Sequence, residues 1–187
     1  MIRKNADLLQ YITKVLIHKT DNKLLEVLYS PTEIILDQRK KVFYVHIIKS
    51  GMAKCYLTED NGNDFIQEFF SEGEIFGELE AINGDLSFCC IEAITPVQAY
   101  KIEAQYFNTL LEKDPTFNKL ILKALAKKLN YTAIRHAYNQ SHTLEDNLLR
   151  LQKQYPALIE QISKQDIANY LGITVRSLNR SLAKLGI

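Results

Sequence analysis

The stretch from Ser163 to Leu185 carries residue types and a spacing that suit contact with nucleic acid. Ser163, followed three residues later by Asp166, is typical of a helix start, where side-chain oxygens accept hydrogen bonds from free backbone N–H groups. Apolar residues at helical spacing then lead to Gly172, which can adopt the left-handed backbone conformation that ends a helix. The sequence therefore predicts a helix that begins after Ser163 and ends at Gly172.

A second helix is predicted directly after this turn. Thr174 can cap it, and Leu178, Leu182 and Leu185 fall on one face. The other face is polar and basic: Arg176, Ser177, Asn179, Arg180 and Lys184. Two short helices joined in this way are typical of a helix-turn-helix motif, whose arginines can reach base edges or phosphates in the major groove. The alternative is an amphipathic helical hairpin whose charged face is only solvated.

The charge of the chain is unevenly divided, although the formal net charge of the 187 residues is only +1. Residues 1–114 hold 12 Lys and Arg against 18 Asp and Glu, a net charge of −6. Residues 115–187 hold 11 against 4, a net charge of +7. Because the helix-turn-helix lies in the basic part, the distribution favours a nucleic acid as the partner and indicates which part binds it.

The composition, 47% apolar and 24% charged residues, is typical of a folded globular protein. No apolar run is long enough to span a bilayer, and the first ten residues lack the apolar core of a signal peptide, so we expect a cytoplasmic protein that does not bind a membrane. Cys55, Cys89 and Cys90 do not form a CxxC motif, and we expect them to be reduced thiols in the core. No metal site is expected.

Enzymatic activity is not expected. A cupin-type metal enzyme needs clustered histidines, and His46 is the only histidine in the β-prone part of the chain. The sequence also has neither the nucleophile-elbow motif of a serine hydrolase nor a phosphate-binding glycine loop.

The elements that must position the helix-turn-helix precede it in the chain. From about Leu24 to Ile102, short β-prone runs are separated by turn residues, and residues 60–63 (Asp-Asn-Gly-Asn) form a hairpin signal. The pattern predicts a small all-β barrel or roll. Residues 6–19 are predicted to form a helix that packs on it, and residues 103–114 a short second helix.

A long helix is predicted from Asp114-Pro115, a capping residue followed by a first-turn proline, to about Asn139. It has two apolar faces. One comprises Phe117, Ile121, Ala124 and Tyr131, and the other Leu122, Leu125, Leu129, Thr132 and His136. One face is enough to pack on the roll, so we expect the other to pair with a second copy of the chain. The alternative is a helix buried within a monomer. A further helix, capped by Ser141 or Thr143, is predicted to end near Gln154.

These features, in this order, resemble the CRP/FNR family of bacterial transcription regulators. The likeness rests on residues 73–79 (Gly-Glu-Ile-Phe-Gly-Glu-Leu), on Asp114-Pro115 and on residues 162–168 (Ile-Ser-Lys-Gln-Asp-Ile-Ala), and it covers nearly the whole chain. It implies an α+β fold with an N-terminal double-stranded β-helix (β-roll) of the cyclic-nucleotide-binding type, a long dimerisation helix and a C-terminal helix-turn-helix domain. The expected divisions are a sensor domain (1–114), a dimerisation helix (115–140) and a DNA-binding domain (141–187).

The resemblance also implies roles for particular residues, because in this family the roll binds an effector, the long helix joins two copies and the second helix of the terminal motif enters the major groove. The residues expected at DNA are Ser163, Lys164 and Gln165 near phosphates, with Thr174, Val175, Arg176, Ser177, Asn179 and Arg180 on the second helix. The expected effector pocket comprises Gly77, Glu78, Leu79, Ser87, Phe88 and Thr132. The expected dimer interface comprises Leu122, Leu125, Leu129, Thr132 and His136.

The base sequence read by this chain is expected to differ from that of cyclic-AMP-binding members. Those members carry an arginine, a glutamate and a later arginine along the recognition helix, whereas here Val175 and Arg176 occupy the first two places and only Arg180 matches. Glutamate accepts a hydrogen bond from cytosine and arginine donates to guanine, so the exchange changes which bases are favoured.

A second departure concerns the effector. In cyclic-nucleotide binders, the glycine–glutamate pair matched by Gly77 and Glu78 is followed by an Arg-Ser or Arg-Thr pair that holds the cyclic phosphate, and here Ser87 and Phe88 stand at those places. Between Lys54 and Lys101 there is no lysine or arginine. Since a buried anion without a basic partner is unfavourable, we expect the roll not to bind cyclic AMP. A basic residue reaching in from the long helix would contradict this reasoning. The effector stays unidentified, and a haem-binding sensor is a further alternative.

The family usually continues beyond residues 184–187 into a β-hairpin wing that touches the DNA backbone. A domain lacking most of the wing is expected to make fewer phosphate contacts, and its DNA binding should depend less steeply on salt. The sequence thus predicts a homodimeric, sequence-specific DNA-binding regulator, with RNA polymerase as a further candidate partner. The alternative is a ligand-sensing or protein-interaction module whose terminal helices no longer bind DNA.

Overall fold

A computed structural model describes residues 2–18, 23–154 and 162–186 of the chain. Its α-helices within these ranges are α1 (Ala6–Lys14), α2 (Glu78–Asn83), α3 (Ala104–Lys113), α4 (Pro115–Ser141), α5 (Leu144–Gln154), α6 (Lys164–Leu171) and α7 (Val175–Leu185). The strands are β1 (Ile2–Arg3), β2 (Leu24–Tyr29), β3 (Ile34–Leu36), β4 (Tyr44–Ser50), β5 (Ala53–Thr58), β6 (Asp64–Phe70), β7 (Ile75–Phe76), β8 (Cys90–Ala93) and β9 (Val97–Glu103).

The strands form the two sheets of a β-roll. One sheet has the order β1-β6-β5-β8-β3 and the other the order β2-β9-β4-β7. The described pairs are antiparallel except β1 with β6. The interior of the roll is apolar and includes Ile48, Phe70, Phe76, Ile91 and Val97. The predicted α+β fold with a β-roll is therefore confirmed.

Local turn signals correctly located most strand boundaries. The predicted turn at residues 60–63 joins β5 to β6, and the N–H of Gly62 donates to the carbonyl of Glu59. The run from Ser71 to Glu78, however, yields only the two-residue strand β7 before α2 begins. Gly77 precedes α2 with φ +84°, and Gly84 ends this helix with φ +78°. Helix α2 was not predicted, because six residues are too few to show helical periodicity.

The second sheet of the roll is covered by helices. Its outward side chains, including Val45, Ile47 and Ile102, pack with Leu8 and Ile12 of α1 and with α3 and α4. The α-helical part of the predicted first helix ends at Lys14, a 3₁₀ turn follows at Leu16–His18, and the predicted end at Lys19 lies outside the described residues.

The long helix α4 shows both predicted faces. The Asp114 side chain accepts from the N–H groups of Thr116 and Phe117, and Pro115 is the first helical residue, as predicted. One face, with Phe117, Ile121 and Ala124, is buried against the roll and α1. On the opposite side, Leu122 is 61% exposed and Leu129 is 72% exposed. The alternative of a helix enclosed on all sides within one chain is therefore wrong.

The C-terminal helices pack against the first sheet of the roll. Because side chains alternate along a strand, β6 directs Phe70 into the roll and Phe69 outward. The outward apolar side chains Met52, Tyr56, Ile66 and Phe69 form one cluster with residues of α5, α6 and α7: Leu148, Leu151, Ile167, Ala168, Tyr170, Leu178 and Leu182. The helix-turn-helix thus shares a core with the roll of its own chain.

Candidate functional site

The helix-turn-helix is formed by the local contacts that its sequence predicts. The Ser163 hydroxyl accepts from the N–H of Asp166 at 3.0 Å and donates to its carboxylate at 2.8 Å. Gly172 has φ +68° and ends α6. The Thr174 hydroxyl accepts from the N–H of Ser177 at 3.2 Å and caps α7. The caps and the turn are confirmed.

The two faces of α7 have different environments. Leu178 and Leu182 are buried in the cluster shared with the roll, whereas Arg176, Asn179 and Arg180 are exposed. The other residues expected at DNA that are exposed are Ser163, Lys164, Gln165 and Thr174. Ser177 is half-buried, and Val175 packs partly against the apolar cluster, so these two present less surface to a partner.

Lys164 and Asn179 connect the two helices on this exposed side. The ammonium group of Lys164, at the start of α6, donates to the side-chain oxygen of Asn179, in the middle of α7, at 3.1 Å. The exposed side therefore offers two arginines, an amide and a lysine as hydrogen-bond donors to a polyanion.

A cavity of about 290 Å³ lies within the roll beside α4. Its apolar walls comprise Leu36, Phe65, Phe70, Phe76, Leu79, Phe88 and Ile91, with the thiols of Cys55 and Cys89. Of the residues expected in the effector pocket, five line the cavity: Gly77, Glu78, Leu79, Phe88 and Thr132. Ser87 does not belong to this lining, because it is only 1% exposed and its hydroxyl donates to the carbonyl of Cys89 at 2.7 Å. Ser87 is therefore not part of the cavity wall, and its role at an effector stays a prediction.

Basic residues enter the cavity from outside the β-prone part of the chain. Lys128 and Arg135 reach in from α4 and Arg3 from β1. The Lys128 ammonium group donates to Glu78 at 2.6 Å and to the carbonyl of Ile75 at 2.5 Å. The reasoning that an anion in the roll would meet no lysine or arginine is therefore wrong, and the expectation about cyclic AMP can no longer rest on it.

These three cations are each accompanied by a carboxylate. Glu78 lies beside Lys128, Glu74 lies 3.6 Å from Arg3, and Glu68 lies 4.0 Å from Arg135. Burial raises the pKa of Glu68 and of Glu80. Burial lowers the pKa of Lys128, but Glu78 and Glu74 outweigh that effect, so its pKa is raised and the group stays charged.

A signal for Lys128 and Arg135 was present in the sequence. Both continue the helical stripe of Ala124 and Tyr131 that faces the roll, and a charged residue on an otherwise apolar stripe requires a buried partner. Sequence spacing does not reveal that partner, because Lys128 and Glu78 are 50 residues apart.

The outward face of α4, meaning Leu122, Leu125, Leu129, Thr132 and His136, is mostly open. Leu125 packs partly against the roll core, while Leu122 and Leu129 are exposed. The Thr132 hydroxyl donates to the carbonyl of Lys128 at 3.0 Å, and His136 lies 3.0 Å from the side-chain amide of Gln140. Thr132 and His136 also line the cavity, so this face adjoins the candidate effector site.

Other predicted features concern cysteines, metals and membranes. Cys55, Cys89 and Cys90 are buried free thiols, as predicted. Across residues 2–18, 23–154 and 162–186, no three His, Cys, Asp or Glu side chains are grouped so as to hold a metal ion. None of the helices in those ranges combines the length and the apolar character needed to cross a bilayer.

The chain joins a β-roll with an internal cavity, through a long helix, to an exposed helix-turn-helix, and this is the architecture of CRP-like regulators. Two family models match the chain: the cyclic nucleotide-binding domain over residues 26–114, and the crp family of bacterial regulatory proteins over residues 161–186. Together they cover more than half of the sequence. The two models match in the order expected from the sequence, which confirms the resemblance to the CRP/FNR family.

Individual relatives are distant. The cAMP-activated global transcriptional regulator CRP of Pasteurella multocida is 25% identical over 84% of this chain and 80% of its own length. The potassium channel KAT2 of Oryza sativa is 26% identical over 54% of this chain, which spans only 17% of the channel. The solved structure of the c-di-GMP responsive global regulator CLP of Xanthomonas campestris superposes with a TM-score of 0.79 at 18% identity, covering 91% of this chain and 90% of that one.

Proposed function

We propose that this protein is a homodimeric, sequence-specific DNA-binding transcription regulator of the bacterial cytoplasm, that it acts with RNA polymerase as a partner, and that its roll responds to a small molecule other than cyclic AMP. The observation that carries the proposal is the exposed polar face of α7, where Arg176, Asn179 and Arg180 stand opposite a buried leucine stripe. Such a face suits base edges and phosphates in a major groove. The net charge of +7 over residues 115–187 supports the same partner.

Pairing of two copies is supported by the outward face of α4. Large exposed leucines on a helix whose other side is fully packed form an apolar stripe that a second helix can cover. Members of the family act as dimers. A dimer places two recognition helices on successive turns of a duplex, as half-site recognition requires.

Two features of the cavity wall disfavour the binding of cyclic AMP. The stretch from Asp85 to Cys89 contains no arginine, and the Ser87 hydroxyl is occupied by the Cys89 carbonyl. Lys128 is already bound to Glu78 and to Ile75, so a cyclic phosphate would have to displace a contact of 2.6 Å. The named relatives differ in their nucleotide, so family membership does not fix the effector.

The decisive experiment measures binding to a DNA fragment from upstream of the protein's own gene. Arg176→Ala and Arg180→Ala should each weaken binding by about 1–3 kcal/mol if these side chains contact bases. Lys184→Ala is the matched control, because this exposed lysine of α7 is paired with Glu145 at 3.1 Å. Loss of roughly fivefold in affinity or more for both arginine variants, with Lys184→Ala within about threefold, supports the proposal.

Two further measurements test the remaining parts. Sedimentation should give the mass of a dimer for the wild type and of a monomer for Leu129→Glu. Isothermal titration with cyclic AMP should show no binding at micromolar concentration. A monomeric wild type, or a wild type that does not bind DNA, would favour the alternative of a sensing or interaction module, and micromolar affinity for cyclic AMP would overturn the statement about the effector.

A further inference from the structure

One buried guanidinium group connects the roll, the long helix and the helix-turn-helix. Arg135 lies on α4 and is 9% exposed. Its Nη1 donates to the carbonyl of Gln67, and its Nη2 donates to the carbonyls of Ile66 at 3.3 Å and Tyr170 at 2.8 Å. Ile66 and Gln67 belong to β6, whereas Tyr170 belongs to α6. A single side chain therefore binds backbone atoms of two separate units.

The contact with α6 involves both the backbone and a ring. The Tyr170 carbonyl lies in the last turn of α6, where carbonyls have no partner within the helix and where a cation is favoured. The Arg135 guanidinium carbon lies 4.0 Å from the centre of the Tyr170 ring, and that ring also packs 5.3 Å from Phe69 of β6. Planar guanidinium groups suit this combination of stacking and several hydrogen bonds, and lysine does not.

The same residue is part of the cavity wall. Arg135 lines the cavity together with Thr132 and His136, which lie on the outward face of α4. The carboxylate nearest to it in the cavity is Glu68, at 4.0 Å, whose pKa is raised by burial. The guanidinium group is therefore held mainly by hydrogen bonds to the backbone carbonyls of β6 and α6.

We propose that Arg135 is a positioning residue that fixes the orientation of the helix-turn-helix relative to the roll. Only the consequence for DNA rests on the proposed function. The remaining interface, which includes the Lys54–Asp166 ion pair at 3.0 Å and the shared apolar cluster, keeps the two units attached when Arg135 is replaced. Replacement therefore loosens α6 without releasing it.

Hydrogen exchange of backbone amides measures this effect directly. In Arg135→Met, amides of residues 164–171 should exchange about tenfold faster than in the wild type, while those of β4 and β9 stay unchanged. Arg135→Lys, which keeps the charge but cannot reach three carbonyls at once, should give an increase of about threefold and covers the case in which Arg135→Met does not fold. The matched control is Arg39→Met, which removes an exposed guanidinium group 3.4 Å from Asp60 and should leave the exchange of residues 164–171 unchanged.

The proposal is overturned if exchange in α6 is unchanged by both Arg135 variants, or if exchange rises equally throughout the protein. If exchange behaves as expected and the wild type does not bind DNA, the proposed function fails while the positioning role stands.

Discussion

The ion pair between Lys128 and Glu78 gives the sharpest test of how α4 is attached to the roll. The two groups lie 2.6 Å apart, and Glu78 is only 1% exposed. Lys128→Met keeps the length of the side chain but leaves the Glu78 carboxylate buried without its cation. Removing one partner of a buried pair destabilises a protein by about 3–5 kcal/mol.

Replacing both partners should restore much of this loss. In Lys128→Met/Glu78→Gln no unpaired charge is left between these positions, so the double variant should be more stable than Lys128→Met by about 1–3 kcal/mol. Lys127→Met is the control, because this neighbouring lysine is exposed and its loss should change stability by less than about 0.5 kcal/mol.

Urea unfolding followed by far-ultraviolet circular dichroism at one fixed protein concentration measures these free energies, since a dimer would make stability depend on concentration. The chain has no tryptophan, so fluorescence is a weaker probe. The reasoning is refuted if Lys128→Met is no more destabilising than Lys127→Met, or if the double variant is no more stable than Lys128→Met.

Two other substitutions test the interior of the roll. Burial, reinforced by Lys101, lowers the pKa of His46 to about 3, so the unfolded chain binds a proton near pH 6.5 that the folded chain does not, and stability falls as the pH decreases below that value. Between about pH 7.5 and pH 5 this protonation lowers the unfolding free energy by about 2 kcal/mol. His46→Gln should abolish this loss in urea-unfolding curves. If stability depends on pH as steeply in His46→Gln as in the wild type, the effect does not come from His46. Gly73 has φ +78°, and an added Cβ would lie 2.0 Å from the Asn5 carbonyl oxygen, whereas Gly62 has φ +80° with open space around it. Gly73→Ala should therefore lower the unfolding free energy well beyond the roughly 1–2 kcal/mol expected for Gly62→Ala, and equal losses would show that Asn5 can move aside.

The parts of the fold that the sequence predicts correctly are those decided by neighbouring residues. Ser163 with Asp166, Asp114 with Phe117, and Thr174 with Ser177 form their caps within three positions in the chain. Periodicity over a long helix likewise separated the buried face of α4 from its outward face. Short elements such as β1 and α2 were missed, because two and six residues contain too little pattern.

The chemistry of the cavity could not be predicted from local sequence. Its cations come from β1 and α4, and the contact between Arg135 and Gln67 spans 68 positions. The charges of residues 54–101 alone do not describe the cavity, because residues from β1 and α4 line it as well. The expected domain boundaries at residues 114 and 140 stay a prediction. Apolar clusters contain residues from both sides of each boundary, and local sequence does not show these contacts.

The cluster that joins α6 and α7 to the roll has a practical consequence for dissecting the protein. Cutting the chain after Ser141 would uncover Met52, Tyr56, Ile66 and Phe69 on the outer surface of a sheet. An apolar strip of this kind on a β-sheet promotes self-association. Ligand screens on the severed amino-terminal fragment would thus sample aggregates. The fragment would also lack Tyr170, which Arg135 of the cavity wall contacts, so the intact polypeptide is the proper material for testing whether the cavity binds a ligand.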